Sequence, residues 1–134
     1  SYISFQDEAY QNEFLRRVNN ERAKAGLKPV QLGDSNHNSA AQERAEEIAT
    51  VNSHVRPNGT KWYTVLSEYG VTDAAAGENA AWGNVSPEEV VNAWMNSEGH
   101  RANILDPEAR AMGVGYYYNS SSTWGHQWIQ LFTK

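Results

Sequence analysis

The sequence predicts an α+β domain in which helices sandwich a small antiparallel sheet. Three observations carry that expectation. Apolar residues recur at helical spacing through the first third of the chain, and a strongly capped helix starts near residue 86. The last quarter consists of two β-rich runs joined by a serine turn. At 134 residues the chain is read as one domain, residues 1–134, with a single set of packed layers.

The first element is a helix over residues 4–25, with Phe14, Leu15, Val18, Arg22 and Ala25 on one stripe and Gly26 as its stop. "LKPVQL" follows as an extended link. Asp34 or Ser35 caps a second helix whose Ala41, Ala45, Ile48 and Ala49 face inward. So many alanines on a buried stripe predict close approach to another element. Pro57-Asn58-Gly59 is turn chemistry, and a short helix runs from Thr60 to a stop at Gly70.

"AAAGENAAWG" reads as an edge or central strand. In "SPEE", Ser86 is the N-cap, Pro87 the first helical residue and Glu89 the capping-box partner, giving a helix that ends at Gly99. A turn at "RANIL" leads to "AMGVGYYYN" and "TWGHQWIQLFT", which pair as a hairpin across "SSS". Tyr116, Tyr117 and Tyr118 alternate across a strand, so they cannot all share one buried face.

Composition narrows the function. Five Trp, seven Tyr and three Phe within 40% hydrophobic residues exclude a disordered chain. A net charge of −5 argues against a nucleic-acid partner. Without cysteine there is no disulfide and no thiolate metal site. No apolar run is long enough to span a membrane. The chain opens at "SYISFQDEAY" with neither Met nor an apolar leader, as a mature or trimmed form would.

Four histidines make the chemical inventory short. His54 follows the second helix, His100 follows Gly99, His126 lies in the last strand, and His37 is read as a loop histidine without a chemical role. Glu78, flanked by Gly77, Asn79 and alanines, lies in a stretch that otherwise reads as buried, and a buried carboxylate needs partners. Either it staples backbone amides or it faces a histidine across a cavity. There is no H-E-x-x-H helix, G-x-S-x-G elbow, phosphate loop or dinucleotide fingerprint, and no serine sits in a nucleophile motif.

"HVRPNG", "GENAAWG", "AWMNSEGHRANIL" and "MGVGYYY…WIQLF", taken together and in this order, resemble the bacterial branch of the CAP superfamily, also called SCP-like. The opening "FLRRVNNERAKAGLKPVQL" resembles the family's first helix and link. The resemblance implies an α-β-α sandwich around a three-stranded antiparallel sheet, and an extracellular or cell-surface location. It also implies a cleft lined by two histidines and two glutamates, which in some members holds a divalent metal.

Position by position, His54, Glu78 and His100 match family residues. The second glutamate lies three residues after the helix tryptophan in the animal and plant pattern; here that place after Trp94 holds Ser97, and Glu98 comes one residue later. In the last strand Gln127 stands where the family histidine would be. His126, one residue off, falls on the opposite face.

The resemblance therefore implies a site of His54, Glu78, Glu98 and His100, with His54 and His100 as ligands of a divalent metal such as zinc. The leading expectation is a secreted factor that binds a metal, small molecule, lipid or protein, without established catalysis. Two alternatives stay open. One is a metal-dependent peptide or ester hydrolase with Glu78 as general base; the other is a cell-wall or surface interaction module whose exposed aromatics matter more than its cleft.

Overall fold

The computed structural model describes residues 2–134, with side chains from Glu8 onward. Helix α1 spans Tyr2–Lys24 and buries Phe14 and Val18 on the expected stripe. Arg22 belongs to that stripe as well. Its guanidinium is buried and donates to the carbonyls of Lys28, Ile104, Asp106 and Ala109, tying α1 to a segment more than eighty residues away. Asn19 exchanges hydrogen bonds of 2.9 and 2.8 Å with the backbone of Val30, which pins the extended link.

Strand β1 (Gln31–Leu32) leads into α2 (Ser35–Glu47), capped by Asp34 through the His37 amide at 2.9 Å. Most of the predicted stripe is buried: Ala41, Ala45 and Ile48 are, with Ala40 beside them, while Ala49 lies past the end of α2 and is only part-buried. A Cβ on Gly115 would lie 2.2 Å from the Ala41 carbonyl oxygen. Helix α2 therefore rests almost directly on the sheet. Helix α3 (Thr64–Glu68) begins four residues later than expected. The Arg56 amide donates to the Thr60 carbonyl at 2.7 Å and the Trp62 amide to the His54 carbonyl at 2.8 Å, so residues 60–62 close a loop and are lost to the helix.

Strands β2 (Ala75–Trp82), β3 (Ala111–Tyr118) and β4 (His126–Thr133) are antiparallel, and β1 adds a short parallel pairing to β3. The order is β1-β3-β4-β2, so β2 is an edge strand and β4 an interior one. The sheet has four strands, one more than the family resemblance implies. Alternation sends Ile129 and Leu131 to the face under α2 and α3, and Trp128 and Phe132 to the opposite face. That second face packs against α1, α4 (Pro87–Met95) and α5 (Glu98–Ile104). Tyr116 and Tyr117 divide between the two cores and Tyr118 is exposed. The result is an α-β-α sandwich.

Two local expectations are corrected. Helix α4 starts as predicted, with the Ser86 hydroxyl accepting the Glu89 amide at 3.2 Å, but it ends at Met95 rather than Gly99. Ser97 turns extended, and α5 then runs through Gly99 and "RANI", where the sequence predicts a turn. An acidic Glu98 in the first turn suits a helix start, and Gly99 keeps a negative φ, so nothing in its backbone stops a helix. His37 is no loop residue. It lies in the first turn of α2, buried against Gly33 and Gly113, with Nε2 2.9 Å from the Leu131 carbonyl.

Candidate functional site at the edge strand

The site is built outward from Glu78. Its register on β2, opposite Leu131, turns its carboxylate toward α2, where Arg44 meets it. Arg44 Nε donates to Oε2 at 2.7 Å and Nη2 to Oε1 at 2.9 Å, and both side chains are fully buried. Two charges in the interior are costly to desolvate; a bidentate fork with a partner for every guanidinium nitrogen offsets that cost. Arg44 completes its set with Glu47 at 2.8 Å and the Ser53 carbonyl at 2.9 Å. Burial pulls its pKa down, and the bonds and charges of Glu78 and Glu47 more than reverse this.

Glu47 carries the network onward to Arg56, which also binds Glu43, Glu68 and the Thr64 hydroxyl. These bonds, led by those to Glu68 and Glu47, hold the Arg56 guanidinium well above its ordinary pKa. Mechanically, they fasten the 54–62 loop onto α2 and α3, and that loop presents His54.

His54 Nδ1 lies 2.7 Å from Glu78 Oε1. A carboxylate oxygen accepts, so Nδ1 carries the proton and Nε2 is left for a ligand. The hydrogen bond to Glu78 raises the His54 pKa against the opposing effect of burial. The imidazole is 58% exposed, so the residue is anchored at its base and open at its tip.

His100 approaches from the other layer, on α5. Its carbonyl accepts from Asn79 Nδ2 at 3.1 Å, while Asn103 of the same helix donates to the Glu78 carbonyl at 3.2 Å and to Asn79 Oδ1 at 2.8 Å. Asn103 thus satisfies backbone that an edge strand would leave bare. Gly77 makes room for it: a Cβ there would lie 2.5 Å from Asn103 Oδ1. The His100 ring is half-buried, with Nδ1 2.9 Å from the Ser97 hydroxyl. Burial, then the nearby His54 charge, lowers its pKa. His54 and His100 thus flank the same stretch of β2 from opposite layers.

The remaining candidates lie elsewhere. Glu98 is exposed and borders a surface depression with Met95, Asn96, Arg101, Ala102 and Leu105, and no bond links it to His54, Glu78 or His100 among the described residues. His126 bonds the Tyr116 hydroxyl at 2.7 Å and packs against Tyr116 and Tyr118. Gln127 faces the other way and is buried; its amide donates to the Tyr117 and Gly125 carbonyls and accepts from Ser122, so it serves the hairpin. Among the described residues no three His, Cys, Asp or Glu side chains are grouped to hold a metal ion.

Sequence reasoning missed Arg44, Arg56 and Asn103. Arg44 falls one helical turn after Ala40 and Ala41, on the buried alanine stripe, and a charge there calls for an interior partner. Asn103 follows His100 by one turn on α5, a spacing that is visible only once "RANI" is read as helix.

The helix–sheet–helix sandwich is the architecture of the SCP-like domains to which the four motifs pointed. The chain belongs to the cysteine-rich secretory protein family (CAP), whose family model matches residues 15–132. The Bacillus subtilis protein YkwD is 41% identical over 123 residues, which make up 90% of this chain and 47% of that one. The chain thus spans about half the length of this relative.

Among solved structures, an extracellular SCP-domain protein from Bacillus anthracis superposes with a TM-score of 0.82 at 24% identity, over 96% of this chain and 41% of that one. An outer surface protein of Borrelia burgdorferi gives 0.79 at 21% identity, over 92% and 90%. No helix among the described residues is long and apolar enough to cross a membrane.

Proposed function

We propose that this domain is an extracellular binding module whose ligand sits over the edge strand between His54 and His100. The observation that carries this reading is the 2.7 Å bond from His54 to a buried Glu78, which fixes an exposed imidazole in one orientation. A buried ion pair behind an exposed ring costs desolvation energy, and a purely structural loop would not need it. The extracellular assignment is supported by the SCP-domain kinship.

The donors fit one half of a metal shell. His54 and His100 would hold a divalent ion such as zinc through Nε2, because each Nδ1 is already engaged by Glu78 or Ser97. When bound, such an ion supplies Lewis acidity. Glu78 has both oxygens committed to Arg44 and His54, so its contacts suit it to orienting His54, and they give no support to the hydrolase reading with Glu78 as base.

Calorimetric titration of metal-free protein with Zn²⁺ tests the reading. Binding that weakens at least tenfold in both His54→Ala and His100→Ala supports it; absence of binding, or indifference to both substitutions, removes the metal site.

A second reading, a surface interaction module, is favoured by Trp124, Tyr118 and Val85, which are each more than half exposed. Under it, Trp124→Ala abolishes attachment to isolated cell walls and His54→Ala leaves attachment intact.

A further inference from the structure

Ser97 stands at the N-cap of α5, where a serine ordinarily accepts an amide hydrogen from the first turn. Two other caps in this chain do so: Asp34 takes the His37 amide and Ser86 takes the Glu89 amide. Ser97 makes no such capping bond. Its hydroxyl turns to His100 Nδ1 at 2.9 Å, inside the range that defines a nucleophile and its base. The residue is half-buried, and it occupies the place where the family pattern has its second glutamate.

We propose that Ser97 and His100 form a nucleophile–base dyad that hydrolyses carboxylic esters, with His54 as the facing hydrogen-bond donor. His100, neutral and protonated on Nε2, accepts the Ser97 proton at Nδ1 while Ser97 Oγ forms a bond to the ester carbonyl carbon. The carbonyl π electrons move onto oxygen, where His54 in its imidazolium form, its Nδ1 proton held by Glu78, donates from Nε2. Collapse breaks the bond to the leaving alcohol, which takes the proton back from His100.

Water then attacks the acyl-Ser97 with His100 again as base, and the carboxylic acid and free serine result. Esters rather than amides fit, because among the described residues no carboxylate hydrogen-bonds His100 to strengthen it and an amine leaving group demands a stronger acid.

The dyad shares the site with the metal reading but uses the opposite His100 tautomer, so the two are separable. The full chain, kept in EDTA, is treated with a fluorophosphonate and the labelled residue is located by peptide mass spectrometry. Ser86, a serine that does cap its helix, is the internal control. Labelling of Ser97 at least tenfold faster than Ser86, reduced at least tenfold in His100→Gln with an unchanged circular dichroism spectrum, supports the dyad.

Hydrolysis of p-nitrophenyl acetate, also in EDTA, then falls at least tenfold in Ser97→Ala. Labelling of Ser97 no faster than Ser86 in the native chain overturns the proposal without any variant. Hydrolysis unchanged in Ser97→Ala overturns it too. Failure of zinc to bind in calorimetry leaves these measurements untouched.

Discussion

The two walls of the edge-strand site are anchored by different chemistry. His54 leans on a carboxylate that is itself locked by a buried arginine, whereas His100 leans on a hydroxyl at a helix start. One wall is charged and fixed through Glu78, Arg44, Glu47 and Arg56 to the α2–α3 layer; the other is neutral and held by amides from Asn79 and Asn103. The difference teaches that two histidines flanking one strand can be tuned in opposite directions by what stands behind them. The hydrogen bond to Glu78 raises one, and burial, followed by the nearby His54 charge, lowers the other.

Removing Arg44 breaks the charged wall most severely. Arg44→Ala leaves Glu78 buried without its counter-charge, and urea denaturation should show a loss of about 3–5 kcal/mol. On the neutral wall, Asn103→Ala strips the edge strand of one amide and should cost about 1–2 kcal/mol by the same measurement.

The contrast is sharpest in the titration of the two rings, followed by NMR. His54 should titrate above the ordinary value of about 6.5 and His100 below it, and Glu78→Gln should bring His54 down while moving His100 far less. The signs for stability follow. The His54 contribution is full below about pH 6.5 and is lost as pH rises through its raised pKa. The His100 contribution is full above about pH 6.5 and is lost as pH falls through its lowered one. Ser97→Ala should be the mildest change, about 0.5–1 kcal/mol, since it loses the bond to His100 but no capping bond.

The layered fold was legible because periodicity and caps are local. The alanine stripe of α2, Ser86 and the terminal hairpin each announced themselves within a short stretch of chain. The start of α5 was not legible, because a glycine after a helix reads as a stop until the extended Ser97 before it is seen. Of the site, Glu78 was legible as a buried carboxylate in need of partners, and its facing a histidine was one of two open readings, with His54 or His100 as that histidine. Arg44 was not, since its partner on β2 lies 34 residues away and no local pattern links them. That His126 lies on the face opposite Gln127 followed from strand alternation once the family resemblance had set the register of the last strand. The burial of His37 was not legible, because it depends on glycines in two other segments.

The interior position of β4 has a consequence for synthesis. Strands β2 and β3 do not pair with each other; each pairs with β4, which is the last of the strands in chain order. Until residues 126–133 have left the ribosome, the two earlier long strands lack a common partner and their apolar faces have no sheet to join. The domain therefore cannot assemble piecemeal from its N-terminus, and a ribosome stalled before His126 would hold a chain with helices but, beyond the two-residue β1–β3 pairing, no sheet.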